Sequence, residues 1–548
     1  MADCIMIQGT MSNSGKSFVA AGLCRIFTQD GIRTAPFKSQ NMSNNSFITN
    51  EGLEIGTAQA LQAIACKIPP LSCMNPILLK PNSDVGSQVI VNGIVYGNMN
   101  AAEYYRNKKK FIPDVLSAYK KLYDNYDAVV IEGAGSPAEI NLQEDDIVNM
   151  GLAGLVDAPV ILVADIDRGG VFASIYGTVM LLDKEARERI KGIVINKFRG
   201  DPDILMPGIK MIEDKIGKKV IGIIPYKRID IEDEDSLSER LEYKKAAGVH
   251  RNLYSYEYLH DLKTVHKSGF NKQTEACVEI YIIKFPHISN FNDFNVFERI
   301  ENVNVRYIEN VEIFENTKMP DIIILPGTKN TMYDLAWLKA NNFENKIKSA
   351  ADSGTMIIGI CGGFQMLGDL IDDSNFTEHG GLMHGLGMLD LDTIFETIKT
   401  RVDFNGFVDT GCKNPAYKVD VEKSYTDRNV FKYKSNEDPS IKGYEIHMGT
   451  SIKKGFGIEF IKEDKNSCRL VSLSNEDGSI WGSYIHGLFE NEVFTQKVLN
   501  MASKNKIDFA GKIKDTSVYR DNQIDKLAEL IRSNVDMNMV YKILKKSM

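Results

Sequence analysis

The chain has 548 residues, 43% of them apolar and 25% charged, and its formal net charge at pH 7 is −8. This length exceeds what one hydrophobic core usually supports, so we expect two to four domains, and the acidic balance argues against nucleic acid as a main ligand. The eight cysteines form no C-x-x-C pair, no secretory signal is visible, and no apolar run is long enough to span a bilayer. These features predict a cytoplasmic protein without a membrane partner.

The first chemical signal lies near the N-terminus, where an apolar strand, a glycine-bearing loop and a helix are predicted in succession. Residues 4–17 read Cys-Ile-Met-Ile-Gln-Gly-Thr-Met-Ser-Asn-Ser-Gly-Lys-Ser. Gly15, Lys16 and Ser17 match the end of a phosphate-binding loop, in which the lysine contacts the outer phosphates and the serine contacts Mg²⁺. The usual motif has a glycine where this chain has Thr10. The variant resembles the loop of dethiobiotin synthetase-like ATPases and predicts binding of ATP and Mg²⁺.

The distribution of apolar runs predicts two α/β domains. Residues 1–235 alternate short β-branched runs with helical stretches, as in a doubly wound sheet of parallel strands buried on both faces. Ligand-binding groups are expected at the carboxyl edge of such a sheet. Residues 236–275 show no clear period and are predicted to be a linker. A second α/β series occupies residues 276–505, and the charged residues 506–548 are predicted to form a C-terminal helical extension.

The second chemical signal is centred on Cys361, which ends the apolar run 355–360 and precedes Gly362 and Gly363. This pattern is typical of a sharp strand-to-helix turn with a reactive side chain at its apex, because glycine tolerates strained dihedral angles and close approach by a substrate. A cysteine at the beginning of a helix also lies where the helix dipole favours the thiolate. The alternative is a buried core cysteine, but the flanking glycines favour a nucleophile.

Several longer strings lie in order along nearly the whole chain. In the first half they are Ala-Pro-Phe-Lys-Ser-Gln-Asn-Met-Ser-Asn-Asn-Ser (35–46), Met-Asn-Pro-Ile-Leu-Leu-Lys-Pro (74–81), Ile-Glu-Gly-Ala-Gly-Ser-Pro-Ala-Glu-Ile-Asn (131–141), Ala-Asp-Ile-Asp-Arg-Gly-Gly-Val-Phe (164–172) and Ile-Asn-Lys-Phe-Arg-Gly-Asp (195–201). In the second half they are Leu-Pro-Gly-Thr-Lys-Asn (325–330), the Cys361 turn, Gly-Tyr-Glu-Ile-His-Met-Gly (443–449) and Tyr-Ile-His-Gly (484–487). Together they resemble the cobyric acid synthase family, the glutamine-hydrolysing amidotransferases of cobalamin biosynthesis.

The resemblance implies an N-terminal ATP-dependent synthetase domain of dethiobiotin synthetase-like P-loop fold. It also implies a C-terminal class I glutamine amidotransferase domain of flavodoxin-like α/β fold. In that family, ammonia from glutamine hydrolysis is used at the synthetase site. There, ATP activates the b, d, e and g carboxylates of adenosylcobyrinic acid a,c-diamide for amidation. The expected small-molecule partners are therefore a corrinoid, glutamine and ATP.

For the glutaminase half, the resemblance implies Cys361 as nucleophile and His486 as general base and acid. The N–H of Gly362 and a backbone N–H of the Gly327-Thr328 loop are the expected oxyanion donors. The remaining residues expected to shape the glutamine pocket are Gln365 and His447. The wider class I pattern has a glutamate two residues after the histidine, but position 488 is leucine. Either a Cys–His pair suffices or an acid comes from elsewhere in the chain, and the nearby Glu490 is not favoured.

For the synthetase half, carboxylate activation as an acyl phosphate requires cations around the transferring phosphoryl group. Lys38 is the expected second cation beside Lys16, and Glu132 is expected to hold Mg²⁺ together with Ser17. Asn196 either contacts the adenine edge or caps a turn. The remaining nucleotide-binding candidates are Thr10 and Gly15. The candidates for the polyanionic corrinoid are amide and cationic side chains, although Asn-rich loops are often plain turns; they are Gln40, Asn41, Asn44, Asn45 and Lys80.

Other functions remain possible on sequence alone. A cobyrinic acid a,c-diamide synthase would use the same two domains on other carboxylates, but the Ser-Gln-Asn-Met-Ser-Asn-Asn-Ser string favours cobyric acid synthase. A peptidoglycan lipid amidating pair would carry a Mur ligase-like half, which this chain lacks. A partition-type ATPase switch would have a second lysine within the phosphate loop, where this chain has Met11.

Overall fold

The computed structural model describes residues 2–81, 86–231, 277–316, 319–378, 380–396, 399–409, 440–464 and 469–546. The chain folds as two compact units, one formed by Met1–Asp235 with Ser517–Met548 and the other by Ser236–Thr516. The linker predicted at 236–275 lies outside the described residues. Within the described ranges, no helix has the length and apolar character that a membrane span requires.

The strands of the first unit are β1 (Asp3–Gly9), β2 (Thr34–Phe37), β3 (Gln40–Met42), β4 (Ser46–Ile48), β5 (Glu54–Gly56), β6 (Ile77–Pro81), β7 (Gly86–Val91), β8 (Ile94–Asn100), β9 (Ala128–Glu132), β10 (Val160–Asp165), β11 (Ile190–Phe198) and β12 (Val220–Pro225). Six of them form a parallel sheet in the order β12-β11-β10-β1-β9-β2. Every residue of β9 and of β10 is buried, as expected for strands covered on both faces. The loops after β1, β9, β10 and β11 therefore begin at one edge of this sheet.

The first eight helices are α1 (Lys16–Gln29), α2 (Thr57–Ala65), α3 (Ala101–Asn107), α4 (Ile112–Asn125), α5 (Met150–Leu155), α6 (Val171–Leu181), α7 (Lys184–Arg189) and α8 (Pro202–Ile216). Two apolar cores lie on opposite faces of the parallel sheet, one containing α1 side chains and the other α4 and α6 side chains. A second sheet, β3-β6-β7-β8, and the hairpin β4-β5 follow β2 in the chain and position the Asn-rich string.

The strands of the second unit are β13 (Val278–Ile283), β14 (Val303–Ile308), β15 (Ile322–Leu325), β16 (Met356–Ile360), β17 (Leu370–Asp373), β18 (Gly381–His384), β19 (Leu391–Ile394), β20 (Thr400–Val408), β21 (Ser440–His447), β22 (Thr450–Lys453), β23 (Ile461–Glu463), β24 (Ser472–Ser474), β25 (Ile480–Ser483) and β26 (Ile485–His486). Its helices are α9 (Glu312–Asn316), α10 (Thr331–Ala340), α11 (Phe343–Asp352), α12 (Gly362–Leu367) and α13 (Glu492–Ala502). The central sheet has the order β14-β13-β15-β16-β25-β24, and its first five strands are parallel. The Cys361 turn follows β16, near the middle of this sheet.

The C-terminal helices α14 (Thr516–Asn534) and α15 (Met537–Leu544) pack on the first unit, so the chain returns to the domain in which it began. Leu527 and Ile531 join the apolar core that contains Leu23 of α1. Arg25 is 2% exposed, and its Nη2 lies 2.6 Å from Asp521 Oδ1. The helices that the sequence predicts as an extension thus cover one face of the parallel sheet.

Candidate functional site

Cys361 occupies the turn between β16 and α12 with φ 52° and ψ −110°. A non-glycine residue in this region stores roughly 1–3 kcal/mol of strain, which persists only where the surroundings fix it. The surroundings here are glycines that permit close packing. A Cβ at Gly363 would stand 1.9 Å from the carbonyl oxygen of Leu325, and one at Gly359 would stand 2.6 Å from that of Gly363. The chain therefore places the Cys361 thiol at a rigid apex.

His486, on β26, faces this thiol and is fully buried. Its burial would lower the pKa of the imidazole, but the Asp293 carboxylate and hydrogen bonding to Cys361 outweigh burial and raise that pKa to about 10. The structure therefore brings together the nucleophile and base predicted from sequence. A histidine held in this way favours the imidazolium form.

Two residues in contact with His486 were missed by sequence reasoning. Asp293 Oδ2 lies 2.7 Å from His486 Nδ1, and its Oδ1 accepts the backbone N–H of Gly487 at 2.9 Å. The side-chain amide of Asn290 lies 3.3 Å from His486 Nε2. Both residues are in the loop after β13, and no spacing rule links that loop to a histidine 193 positions later.

The predicted oxyanion residues lie next to this pair. A Cβ at Gly327 would stand 3.3 Å from His486 Cε1, and a Cβ at Gly362 would stand 3.2 Å from the backbone nitrogen of Thr328. Gly362 begins α12, where a backbone N–H has no acceptor within its own helix. The backbone donors of Thr328 and Gly362 are thus close to the thiol, as an oxyanion site requires.

The predicted glutamine-pocket residues Gln365 and His447 are both buried and both contact Tyr484. Gln365 Nε2 donates to the Met448 carbonyl at 2.9 Å and to the Tyr484 hydroxyl at 3.3 Å. The His447 ring stacks on the Tyr484 ring with centroids 3.8 Å apart. His447 Nε2 also lies 3.2 Å from Glu445 Oε2. These contacts fix the Gln365 amide and the His447 ring around Tyr484.

Glu378 is a further carboxylate that sequence reasoning missed. Its Oε2 accepts the backbone N–H of Thr331 at 2.6 Å, at the beginning of α10. Thr331 Oγ1 in turn donates to Gln365 Oε1 at 3.1 Å. Burial raises the pKa of Glu378 to about 7, although the nearby Lys329 opposes the shift. A carboxyl group in this state binds a cationic group favourably, because the cation restores its charge.

The phosphate loop of the first unit lies between β1 and α1. Gly15 has φ +97°, and a Cβ there would stand 2.0 Å from Asn196 Nδ2. Asn196 Nδ2 donates to the Ser14 carbonyl at 3.0 Å, so this side chain supports the loop. Lys16 Nζ donates to the Met11 carbonyl at 3.0 Å. The backbone N–H of Thr10 donates to the Val163 carbonyl at 2.9 Å.

Glu132, at the end of β9, is the hydrogen-bonding centre of this site and is 0% exposed. Its Oε1 accepts Ser17 Oγ at 2.7 Å and lies 2.9 Å from Lys38 Nζ. Its Oε2 accepts Gln62 Nε2 at 2.5 Å. Sequence reasoning did not identify Gln62, which reaches Glu132 from α2. The oxygen atoms of Ser17 and Glu132 are the ligand type that Mg²⁺ prefers, so these residues fit the predicted metal site.

The predicted corrinoid-binding residues differ in their contacts. Gln40 accepts the Tyr104 hydroxyl at 2.6 Å, and Asn41 Nδ2 donates to Gln59 Oε1 at 2.9 Å. In the described part of the chain, neither polar atom of the buried Asn45 side chain has a hydrogen-bond partner.

The buried oxygen of the Asn44 side chain is likewise unpartnered in the described ranges. Lys80 differs from these amides, because its Nζ is paired with Glu54 Oε1 at 2.8 Å and its side chain is 4% exposed. The charge of Lys80 is therefore balanced inside the protein.

Both halves of the chain match models of known protein families. A model of the CobQ/CobB/MinD/ParA nucleotide binding domain matches residues 5–238, and a model of the CobB/CobQ-like glutamine amidotransferase domain matches residues 279–494. These matches confirm the predicted P-loop and class I amidotransferase fold classes. The cobyric acid synthase of Lachnoclostridium phytofermentans is 44% identical over 564 residues, which cover 99% of each chain. That of Alkaliphilus metalliredigens is 44% identical and covers 98% of this chain and 99% of the relative. The chain therefore belongs to the cobyric acid synthase family.

Proposed function

We propose that this chain amidates the b, d, e and g carboxylates of adenosylcobyrinic acid a,c-diamide to give adenosylcobyric acid, using ATP and glutamine. The observation that carries the proposal is that one chain, related over its full length to cobyric acid synthases, holds two reactive centres. One is the Cys361–His486 pair, and the other is a phosphate loop with Lys38 and Glu132 beside it. The first centre releases ammonia, and the second makes a carboxylate reactive toward it.

In the glutaminase half, Cys361 Sγ attacks the side-chain carboxamide carbon of glutamine. The oxyanion that forms is stabilised by the backbone N–H groups of Thr328 and Gly362. The C–N bond then breaks, and His486 Nε2 gives its proton to the leaving ammonia. His486 next takes a proton from water, which hydrolyses the glutamyl thioester and restores the thiol. Glu378 binds the α-ammonium group of glutamine, since a cation there favours the ionised form of a carboxyl group whose pKa desolvation raises.

In the synthetase half, a corrinoid carboxylate oxygen attacks the γ-phosphorus of ATP, ADP leaves, and an acyl phosphate forms. Ammonia then attacks the acyl carbon, and phosphate leaves with the C–O bond electrons. Lys16 and Lys38 place positive charge around the transferring phosphoryl group. Ser17 and Glu132 would hold Mg²⁺, which neutralises phosphate charge when bound. The buried amide of Asn45, which has no hydrogen-bond partner among the described residues, offers both a donor and an acceptor to the substrate.

The test is mass spectrometry of adenosylcobyrinic acid a,c-diamide incubated with the protein, ATP, Mg²⁺ and glutamine. Wild type and Cys361→Ala are compared, the variant with and without ammonium salt. Four successive acid-to-amide mass steps are expected for wild type, and in the variant they should require ammonium. ATP hydrolysis without any mass change would reject this corrinoid as substrate. In a parallel incubation with cobyrinic acid, amidation at two positions only would instead indicate an a,c-diamide synthase.

A further inference from the structure

The glutaminase base is a buried histidine whose positive charge needs a partner. His486 is 0% exposed, and a buried imidazolium is costly unless a carboxylate faces it. The wider class I pattern supplies a glutamate two residues after the histidine, but here that position is occupied by Leu488, which is buried and apolar. Asp293 faces the imidazole instead, with Oδ2 2.7 Å from Nδ1.

We propose that Asp293 is the positioning acid of the glutaminase and that the segment 287–293 fixes this acid to the oxyanion loop. The inference deepens the proposed function, on whose Cys361–His486 chemistry it rests. Because its Oδ2 lies 2.7 Å from His486 Nδ1, Asp293 acts through the imidazole. Its second oxygen accepts the Gly487 N–H at 2.9 Å, which holds the carboxylate on the strand end that carries the base.

The same segment is bonded to the oxyanion loop by backbone and side-chain hydrogen bonds. The Ser289 N–H donates to the Gly327 carbonyl, and the Lys329 N–H donates to the His287 carbonyl, both at 2.9 Å. Ile288 and Thr328 form an antiparallel bridge. The acid, the base it orients and the oxyanion donors are therefore fixed to one stretch of backbone.

Asp334, at the beginning of α10, contacts both the oxyanion loop and the first residue of the 287–293 segment. Its carboxylate is fully buried and accepts the Thr328 hydroxyl. It also lies 2.9 Å from His287 Nδ1. Two buried aspartates therefore hold the two ends of the 287–293 segment, but only Asp293 contacts the catalytic imidazole.

The proton movements follow from this geometry. The Asp293 carboxylate accepts the Nδ1–H of His486, so the ring exchanges its other proton with Cys361 through Nε2. When Cys361 loses its proton to Nε2, the carboxylate stabilises the imidazolium that forms. The ring of Tyr444 stacks on the imidazole with centroids 5.3 Å apart and limits its rotation. In the neutral ring, the Asn290 amide can donate to Nε2, from which it lies 3.3 Å away.

The test compares wild type with Asp293→Asn and Asp293→Ala in the full chain. Glutamate release is measured in the presence of ATP, Mg²⁺ and the corrinoid, and alkylation of Cys361 by iodoacetamide is followed against pH. Both variants should lower kcat for glutamine hydrolysis by about 100-fold or more. The pH midpoint of Cys361 alkylation should rise by about one to two units, because the imidazolium that favours the thiolate loses its carboxylate. Asp293→Glu should restore part of the rate.

Ammonium-dependent amidation should stay within about twofold of wild type in all three variants, which shows that the chain is folded. The matched control is Asp321→Asn, which removes a carboxylate that accepts the Glu279 N–H at 2.9 Å, away from the thiol. It should leave both readouts unchanged. Unchanged glutamine hydrolysis in Asp293→Asn, or a loss without any shift of the alkylation midpoint, would overturn the proposal. If wild type amidates no corrinoid with ammonium, the proposed function fails, whereas the two glutaminase readouts still decide the role of Asp293.

Discussion

The buried ion pair between Lys80 and Glu54 yields a prediction that separates a structural role from a substrate-binding role. The two side chains are 4% and 0% exposed, and Nζ lies 2.8 Å from Oε1. The ammonium group also donates to Ser46 Oγ at 2.9 Å. Lys80→Met would leave the Glu54 carboxylate buried without this cation. We expect the free energy of unfolding of the first unit to fall by about 3–5 kcal/mol, the usual cost of breaking such a pair from one side.

The chain provides its own internal control for this measurement. Its two tryptophans, Trp337 and Trp481, both lie in the second unit. In urea unfolding of Lys80→Met, tryptophan fluorescence should therefore report the same transition of the second unit as in wild type. Circular dichroism, which reports both units, should show loss of structure at a lower urea concentration than in wild type. The double variant Lys80→Met with Glu54→Gln should regain most of the stability, since no uncompensated charge remains. Unchanged dichroism in Lys80→Met together with a raised KM for the corrinoid would refute the structural role.

Three further predictions follow from other contacts. Gln62→Ala removes one hydrogen-bond donor from the Glu132 carboxylate and should lower the rate of ammonium-dependent amidation about 10- to 100-fold. Glutamine hydrolysis should stay unchanged, and steady-state assays of each half-reaction measure both rates. The KM for glutamine should rise as pH falls through about 7, because Glu378 becomes protonated there, and Glu378→Gln should remove this pH dependence and raise KM at pH 8. Arg25→Leu should destabilise the packing of α14 on the first unit by about 1–3 kcal/mol, because Asp521 Oδ1 loses the guanidinium nitrogen that lies 2.6 Å away. Limited proteolysis should then cut the C-terminal helices earlier than in wild type.

Features that depend on neighbouring residues could be predicted from the sequence. Runs such as Val160–Asp165 are buried on both faces of a parallel sheet, and β-branched composition alone indicates such a strand. The glycines around Cys361 indicated the sharp turn, because only small residues fit between β16 and α12. The phosphate loop was recognised despite Thr10, since its strand-loop-helix context was intact.

Features that depend on distant residues could not be predicted in this way. Asp293 resembles any loop aspartate until folding brings it to a histidine 193 positions later. Lys80 stands in a family string, where the sequence alone predicts a cation for the substrate, and no local pattern indicates its ion pair with Glu54. The charged C-terminal residues have the composition of a solvated extension. Their role is set by partners such as Arg25, 496 positions away from Asp521.

The return of the chain to its first domain bears on how ammonia is used. Because the first unit contains both Met1–Asp235 and Ser517–Met548, the glutaminase is an insertion within the synthetase chain and is joined to it at two points. Ammonia released into water at neutral pH is protonated and loses its nucleophilic electron pair, so a glutaminase benefits from staying with its synthetase. A second covalent connection restricts separation without any change in affinity between the two units. It does so only while α14 stays bound to α1, which the Arg25–Asp521 pair and the Ile531 contact favour. Release of α14 should therefore lower the fraction of glutamine-derived nitrogen that reaches the corrinoid, even where each half-reaction keeps its own rate.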